Sequence, residues 1–258
     1  MTADKVYRSE LTPVDFLRRS GRVFPAKTAV VHGNRRYTYA QFAERASRLA
    51  SGLLSAGFQT GDRVAFLSPN APALLEAHFA VPALGGVLVP INTRLQSAEI
   101  DYILSDSGAR FLFVDEALYP QVAALEIAAL EIVHIADTGQ DDDPYEQFLA
   151  AASPDPLPRL VDDEETPISM NYTSGTTGQP KGVLCTHRGA YLNAMGQIVE
   201  IGFDRDSVFL WTLPMFHCNG WCCTWAITAV GGTHVCLRQI EPDAVWDLLT
   251  RERITHYN

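Results

Sequence analysis

Between residues 62 and 115 the chain alternates apolar runs of strand length with runs of helix length. Residues 62–68 (D-R-V-A-F-L-S) read as a buried strand that stops at Pro69-Asn70. Residues 73–84 read as a helix, 87–91 as a strand, 97–105 as a helix and 109–115 (A-R-F-L-F-V-D) as a third strand. Strands joined by helices at this spacing form right-handed crossovers and lie mainly parallel in one sheet. Ser97 is expected to cap its helix, with Glu99 in the first turn. The class is therefore α/β, and its ligand crevice is expected outside the carboxyl ends of the strands.

The flanks extend the pattern. Residues 11–24 predict a short amphipathic helix, and 29–32 and 36–39 predict two strands around the turn Gly33-Asn34. From 38 to 55, Phe42, Ala46, Leu49, Leu53 and Leu54 recur with helical period, and Gly57 supplies a stop. Ala123-Ala124-Leu125-Glu126-Ile127 repeats at once as Ala128-Ala129-Leu130-Glu131-Ile132, a coincidence or a small duplication within a surface helix, with no function assigned to it. Residues 137–165 set ten acidic side chains against Arg159 alone. That run predicts a solvated connector with one short helix over 145–151. Further on, 187–200 predict a helix, 206–213 a strand, and a helix continues to Val230. Residues 233–237 predict a strand and 242–252 a helix with Val245, Leu248 and Leu249 inward. Residues 254–258 predict a strand in which the sequence stops.

The acidic run leads into N-Y-T-S-G-T-T-G-Q-P-K-G-V-L, residues 171–184. Thr173 to Lys181 bring together four hydroxyl side chains, two glycines and one lysine. Glycine lets backbone N–H groups approach an anion closely. Consecutive amides then form an anion-binding nest, and hydroxyls add donors or a Mg²⁺ ligand. Lys181 adds a point charge. The composition suits a polyphosphate, although a solvated turn between two strands would look similar. The order is not that of a Walker A loop, because Lys181 follows Pro180 and no Ser or Thr succeeds it, and the G-x-G-x-x-G pattern fails too.

A second constellation, P-M-F-H-C-N-G-W at 214–221, follows the strand at 206–213 directly. His217 could donate to a substrate or a phosphate, and Asn219 and Gly220 permit close approach. Trp221 could wall an apolar pocket. A satisfied core histidine and a packing tryptophan are the plainer reading of the same residues.

Composition narrows the classes. The chain has 258 residues, 47% apolar and 19% charged, with net charge −10. That charge argues against a nucleic-acid partner and against an electrostatic membrane anchor. The most apolar long run, 71–90, carries Glu76, His78, Pro82 and Gly85-Gly86, and reads as helix, turn and strand rather than a membrane span. Five cysteines, with no basic or apolar leader, predict reduced thiols in the cytoplasm. Cys218, Cys222 and Cys223 lack a second C-x₂-C pair, so buried apolar thiols are expected rather than a zinc site.

The string at 172–182 resembles the phosphate-loop motif of the adenylate-forming superfamily, which includes acyl-CoA synthetases, luciferases and the adenylation domains of peptide synthetases. P-M-F-H-C-N-G at 214–220 resembles the P-[LM]-F-H-x-N-G motif of acyl-CoA synthetases. R-Y-T-Y at 36–39, G-D-R-V-A at 61–65 and residues 86–92 and 254–258 also look like the first half of a carboxylate–CoA ligase. The resemblance therefore covers essentially the whole chain.

It implies two αβ-layered sheet subdomains of the adenylate-forming N-terminal domain. One would span about 50–200 with the phosphate loop at 172–183. Residues 1–50 and 205–258 would supply portions of the second, left incomplete, with the C-terminal lobe absent. A piece of this kind is expected to be inactive alone and poorly soluble, with open sheet edges. The implied activity is ATP-dependent conversion of a carboxylic acid, fatty or otherwise apolar, to acyl-AMP and then acyl-CoA. ATP, Mg²⁺ and CoA would be required. By resemblance, Thr173, Ser174, Gly175, Thr176, Thr177, Gly178 and Lys181 would hold the ATP phosphates, with Thr173 on Mg²⁺. His217 would act at the reacting carboxylate or α-phosphate. His217, Asn219, Gly220 and Trp221 would contact the substrate. An aryl, short or amino acid, or a catalytically silent nucleotide-binding module, stays open. The partners implied are small molecules, with a homodimer allowed and neither nucleic acid nor a transmembrane segment.

Overall fold

The computed structural model describes residues 9–125, 130–173 and 179–258. The chain opens with helix α1 (Val14–Val23), the hairpin β1 (Thr28–His32) and β2 (Arg35–Thr38), and α2 (Tyr39–Ser55). It then alternates through β3 (Arg63–Leu67), α3 (Pro72–Ala83), β4 (Val87–Pro90), α4 (Ser97–Ser107), β5 (Phe111–Asp115), β6 (Glu131–Ile135) and α5 (Pro144–Ala150). A second hairpin, β7 (Pro167–Thr173) and β8 (Lys181–Thr186), precedes α6 (His187–Ile201). The last part holds β9 (Val208–Leu210), the single turn α7 (Cys218–Trp221), α8 (Cys223–Val230), β10 (Thr233–Cys236), α9 (Pro242–Arg251) and β11 (His256–Tyr257).

Two sheets result. A six-stranded sheet has the order β6-β5-β3-β4-β7-β8, and a five-stranded sheet has β11-β9-β10-β1-β2. Every pairing is parallel except in the two hairpins, β1·β2 and β7·β8. One core joins the sheets. It takes Val64, Phe66, Leu88 and Phe113 from one, Val30 and Phe209 from the other, and the buried faces of α1, α2, α3, α6 and α8 between them. α4 covers the outer face of the six-stranded sheet with Ile100, Ile103 and Leu104. α9 covers that of the five-stranded sheet with Leu248. The layers thus run helix, sheet, helices, sheet, helix.

Local chemistry explains the boundaries. Thr38 caps α2 in a capping box with Gln41. Gly57, at φ +85°, turns the chain away after it. α4 corrects the sequence expectation by one residue: Gln96, not Ser97, is the cap, and it shares a capping box with Glu99. α3 has no polar face, because all twelve of its residues are buried between the sheets. Its Glu76 is tolerated there because Arg45 Nε and the Tyr145 hydroxyl both donate to it, at 2.5 and 2.6 Å.

Two further expectations need correction. The repeat does not lie within one surface helix: Glu131 and Ile132 open the edge strand β6, while residues 126–129 lie outside the described ones. The acidic run is a solvated connector only in part: Asp141, Asp142, Asp155, Asp162, Asp163 and Glu165 are exposed, but the others are held by the fold. Asp143 is buried and caps α5, accepting from the backbone N–H groups of Ala136, Thr138 and Tyr145. Glu146 pairs with Arg45, Glu164 with Arg188, and Asp137 with His32, Arg35 and Arg238. The partners lie far away in sequence, so composition alone cannot reveal them.

Candidate functional site

The carboxyl ends of strands from both sheets converge on one crevice of about 490 Å³. Pro69 and Asn70 follow β3, Thr93 and Arg94 follow β4, and Asp115 ends β5. From the other sheet, Thr212, Pro214 and Phe216 follow β9, and Leu237 and Arg238 follow β10. Phe216 also borders a smaller cavity of about 100 Å³, lined with Asn92, Glu99, Thr173, Pro180 and His217. This is where a parallel sheet leaves room for a ligand, because its crossovers carry the chain away at that end.

The β7–β8 hairpin sets one wall. Thr173 pairs across the ladder with Lys181, and both are exposed. The intervening Ser174, Gly175, Thr176, Thr177 and Gly178 lie outside the described residues. Tyr172, next to Thr173, is anchored to Asp106 at 2.7 Å. Burial and that carboxylate push its phenol well above the ordinary range.

The segment from 211 to 222 sets the other wall, and three asparagines hold it. Asn70 donates to the carbonyls of Trp211 and Leu213 at 2.9 and 3.0 Å and accepts from the Met215 N–H at 2.8 Å. Asn171, on β7, donates to the Phe216 carbonyl at 3.1 Å. Asn219 donates to Ser169 Oγ at 2.8 Å and to Asn171 Oδ1 at 3.2 Å. His217 thus lies between the pinned Phe216 and Asn219 while its own side chain is exposed. Its Nε2 lies 3.9 Å from Cys218 Sγ.

The backbone here is strained. Cys218, Asn219, Gly220, Trp221 and Cys222 all have positive φ, between 49° and 62°. Each non-glycine residue in that conformation costs roughly 1–2 kcal/mol. Gly220 fits for a second reason: a Cβ there would overlap the Trp211 ring. Trp211 is itself fixed by donating to His234 Nδ1 at 3.1 Å. His234 Nε2 in turn meets Thr228 Oγ1 at 2.9 Å, and burial holds that ring near a pKa of about 3.

The expected site residues therefore divide. Thr173 and His217 face one cavity, with Lys181 across the ladder from Thr173. Asn219 and Gly220 are buried behind them. Trp221 lines neither cavity and exposes 56% of its surface. Asn70 and Ser169 escape sequence reasoning. Asn70 left only the signal of a polar residue after a strand.

Charge enters from the other side of the crevice. Arg238 donates to Asp115 at 2.9 Å and also reaches Asp137, which holds His32 at 2.8 Å and Arg35. Burial would raise the Asp137 carboxyl, but hydrogen bonds from His32 and Arg35 hold it far below the usual carboxylate range. Arg94, in the same crevice, has no carboxylate partner among the described residues.

No three His, Cys, Asp or Glu side chains converge as a metal cage among the described residues. The oxygen donors around the smaller cavity include the Thr173 hydroxyl and the Glu99 carboxylate. Such a sparse set fits Mg²⁺ that brings phosphate and water oxygens with it. Cys222, Cys223 and Cys236 are buried, and burial pushes the Cys223 thiol up to about 12. No helix among the described residues is long and apolar enough to cross a membrane.

The AMP-binding enzyme family model matches residues 17–258. The chain is 43% identical over 262 residues to 4-hydroxybutyrate–CoA ligase 2 of Metallosphaera sedula, covering 96% of this chain and 47% of that protein. It is 40% identical over 268 residues to the acetate–CoA ligase CCL3 of Humulus lupulus, again over 96% of this chain and 47% of the relative. Its fold superposes on the anthranilate CoA ligase AuaEII in complex with anthranoyl-AMP, with a TM-score of 0.88 at 26% identity, over 97% of this chain and 50% of that one. The chain thus spans about half the length of the curated relatives it matches. On the family match, the relatives and the shared two-sheet architecture, the chain belongs to the AMP-binding enzyme family.

Proposed function

We propose that the full-length protein is an acid–CoA ligase and that residues 173–181 and 214–221 are the adenylating half of its site. One observation carries the reading: Thr173, at the mouth of the phosphate-loop hairpin, and His217 share one cavity at the carboxyl end of the sheet. In the first step a carboxylate attacks the α-phosphorus of ATP, and acyl-AMP and pyrophosphate form. The nucleophile is already an anion, so no general base is required. Positioning and neutralisation of phosphate charge carry the step. In the second step the CoA thiol attacks the acyl carbon and AMP leaves.

Thr173 to Gly178 and Lys181 hold the β- and γ-phosphates in this reading. The Thr173 hydroxyl would offer one oxygen to Mg²⁺, which would supply neutralisation of phosphate charge. His217 orients the carboxylate or the α-phosphate, Trp221 walls the acid's tail, and Asn219 and Gly220 form the turn that follows His217. Residues 1–258 alone are inactive. The acid is fatty or otherwise apolar. A second reading, a short acid, is favoured by the small cavity beside His217, about 100 Å³. It is favoured too by relatives named for 4-hydroxybutyrate, acetate and butyrate. The compartment is the cytoplasm, or the peroxisome that several plant relatives carry in their names.

The test is pyrophosphate release by the full-length protein with Mg·ATP and a panel of short, aryl and long-chain acids. Release with one class establishes adenylation and names the substrate. Silence with every acid promotes the binding-module reading. Lys181→Ala should lower kcat/KM by about 10²-fold or more without lowering Tm, because Lys181 is exposed. An unchanged rate removes Lys181 from the phosphate grip.

A further inference from the structure

We infer that the Phe216 ring is the partition that keeps water of the large crevice away from the cavity in which acyl-AMP forms. This rests on the adenylation reading and concerns how the intermediate of that site survives.

The crevice of about 490 Å³ and the cavity of about 100 Å³ meet at the carboxyl end of the sheets. Among the described residues, Phe216 alone lines both. The chain after β4 divides at the same place: Asn92 and Leu95 line the small cavity, and Thr93 and Arg94 line the crevice. Phe216 on one side and residues 92–95 on the other therefore form the boundary between the two spaces. The turn that carries Phe216 is fixed. The His217 N–H donates to the Pro214 carbonyl at 3.2 Å and closes it. Asn70 accepts from the Met215 N–H at 2.8 Å, and Asn171 donates to the Phe216 carbonyl at 3.1 Å. Met215 is fully buried in the core shared by the sheets. Phe216 is only half-buried and belongs to none of the three apolar clusters.

A phenyl ring is a large apolar group, and burying it in a core would stabilise the fold. Here the ring is withheld from every apolar cluster and held between two spaces by a fixed turn. Packing does not explain that placement, and a wall does. The chemistry calls for one. Acyl-AMP is a mixed anhydride. When a water oxygen attacks its acyl carbon, a C–O bond to that oxygen forms, the bond to the phosphate oxygen breaks, and AMP leaves. The water's proton passes to solvent, and the free acid returns. ATP is then consumed without a thioester forming. The small cavity has room for more than one water, so its size alone does not keep water out. Excluding water from a reactive intermediate is a task of a closed site. The Phe216 ring does this for the cavity shared by Thr173 and His217.

The test uses the full-length enzyme and compares wild type, Phe216→Ala and Phe216→Met. Butyrate, benzoate and palmitate are tried with Mg·ATP, and the acid that gives pyrophosphate release is kept. The readout is the steady rate of AMP formation without CoA divided by the rate with CoA. In wild type this ratio should be small, with one burst of pyrophosphate and acyl-AMP retained. In Phe216→Ala it should rise about tenfold or more. Heavy oxygen from labelled water should then enter the acid and not AMP. Methionine restores bulk without a ring, and it should bring the ratio back to within about threefold of wild type. An unchanged ratio in Phe216→Ala, or a methionine variant as leaky as alanine, overturns the inference. So does intact acyl-AMP accumulating in solution, which marks a lost grip rather than a lost wall. Should Phe216→Ala fail to fold, Phe216→Val is read for the same ratio, and no rise there overturns it. Wild type that releases no pyrophosphate with any acid defeats the adenylation reading and this role together. Release by wild type with an unchanged ratio in Phe216→Ala defeats this role alone.

Discussion

Two clasps join the sheets at the end where the site lies, and they are built from opposite materials. One is ionic: Asp137 and Asp115, from the six-stranded sheet, hold Arg35, Arg238 and His32 of the other. The other is neutral: Asn70, Ser169 and Asn171 hold the 211–222 segment with amide and hydroxyl hydrogen bonds. In the ionic clasp both Asp137 oxygens are bonded, and charge-assisted bonds of this kind are strong. In the neutral clasp, Asn219 Oδ1 is buried without a hydrogen-bond partner among the described residues, and the backbone is strained. The difference teaches where rigidity is stored. The charged clasp fixes the sheets, and the neutral one holds the proposed chemical groups in a geometry they would not adopt alone.

Acid should act first on buried histidines that lie outside the ionic clasp. His78 and His187 are held near a pKa of about 4, and His234 near about 3, in each case first by burial. The ordinary value is about 6.5. A depressed group contributes stability that is complete above the unfolded value and is lost as pH falls from there through the folded value. Each ring should therefore remove up to about 1.4 kcal/mol per pH unit between about 6.5 and 4. Asp137 should lose little in that window, since the contribution of a carboxylate held below its ordinary value is lost only as pH falls past about 3.9. Denaturant midpoints at three pH values check this. A flat profile from pH 7 to 5 would contradict it.

Next in size, Asp137→Asn should cost about 3 kcal/mol of stability, the low end for a broken buried pair because Arg35 and Arg238 are partly exposed. The kcat for pyrophosphate release should stay within about threefold. Asn70→Ala should show the converse. It should cost about 2 kcal/mol, since it strips the partner from the Met215 N–H, and its kcat should fall further than Asp137→Asn lowers it. If both variants lose rate in proportion to stability, the two clasps do the same job. The smallest change is expected from Trp221→Ala. Its exposure predicts a stability change within about 0.5 kcal/mol, while the preference between long and short acids should move.

Much of this was legible in the sequence. The alternation from 62 to 115 gives β3, α3, β4, α4 and β5 within a few residues, because apolar period survives without knowledge of contacts. The placement of the 171–184 and 214–221 strings at strand ends also follows from local pattern. The asparagine clasp does not, because each amide finds its partner more than forty residues away or through a backbone carbonyl. The left-handed run could not be read either. Asn219 and Gly220 permit positive φ, but nothing local in Cys218, Trp221 and Cys222 favours it. Edge strand β6 was hidden by a repeat whose composition favours helix.

The shared helical layer has a consequence for how the chain comes apart. α1, α2, α3, α6 and α8 bury side chains against both sheets in a single core. Only the outer clusters under α4 and α9 belong to one sheet alone, so melting either sheet strips the inner face of the other. Heating should give one calorimetric transition whose van't Hoff and calorimetric enthalpies agree, rather than two sequential ones. Because β1 and β2 precede the six-stranded sheet and β9, β10 and β11 follow it, no single cut separates the sheets, so the architecture is two sheets but one folding unit.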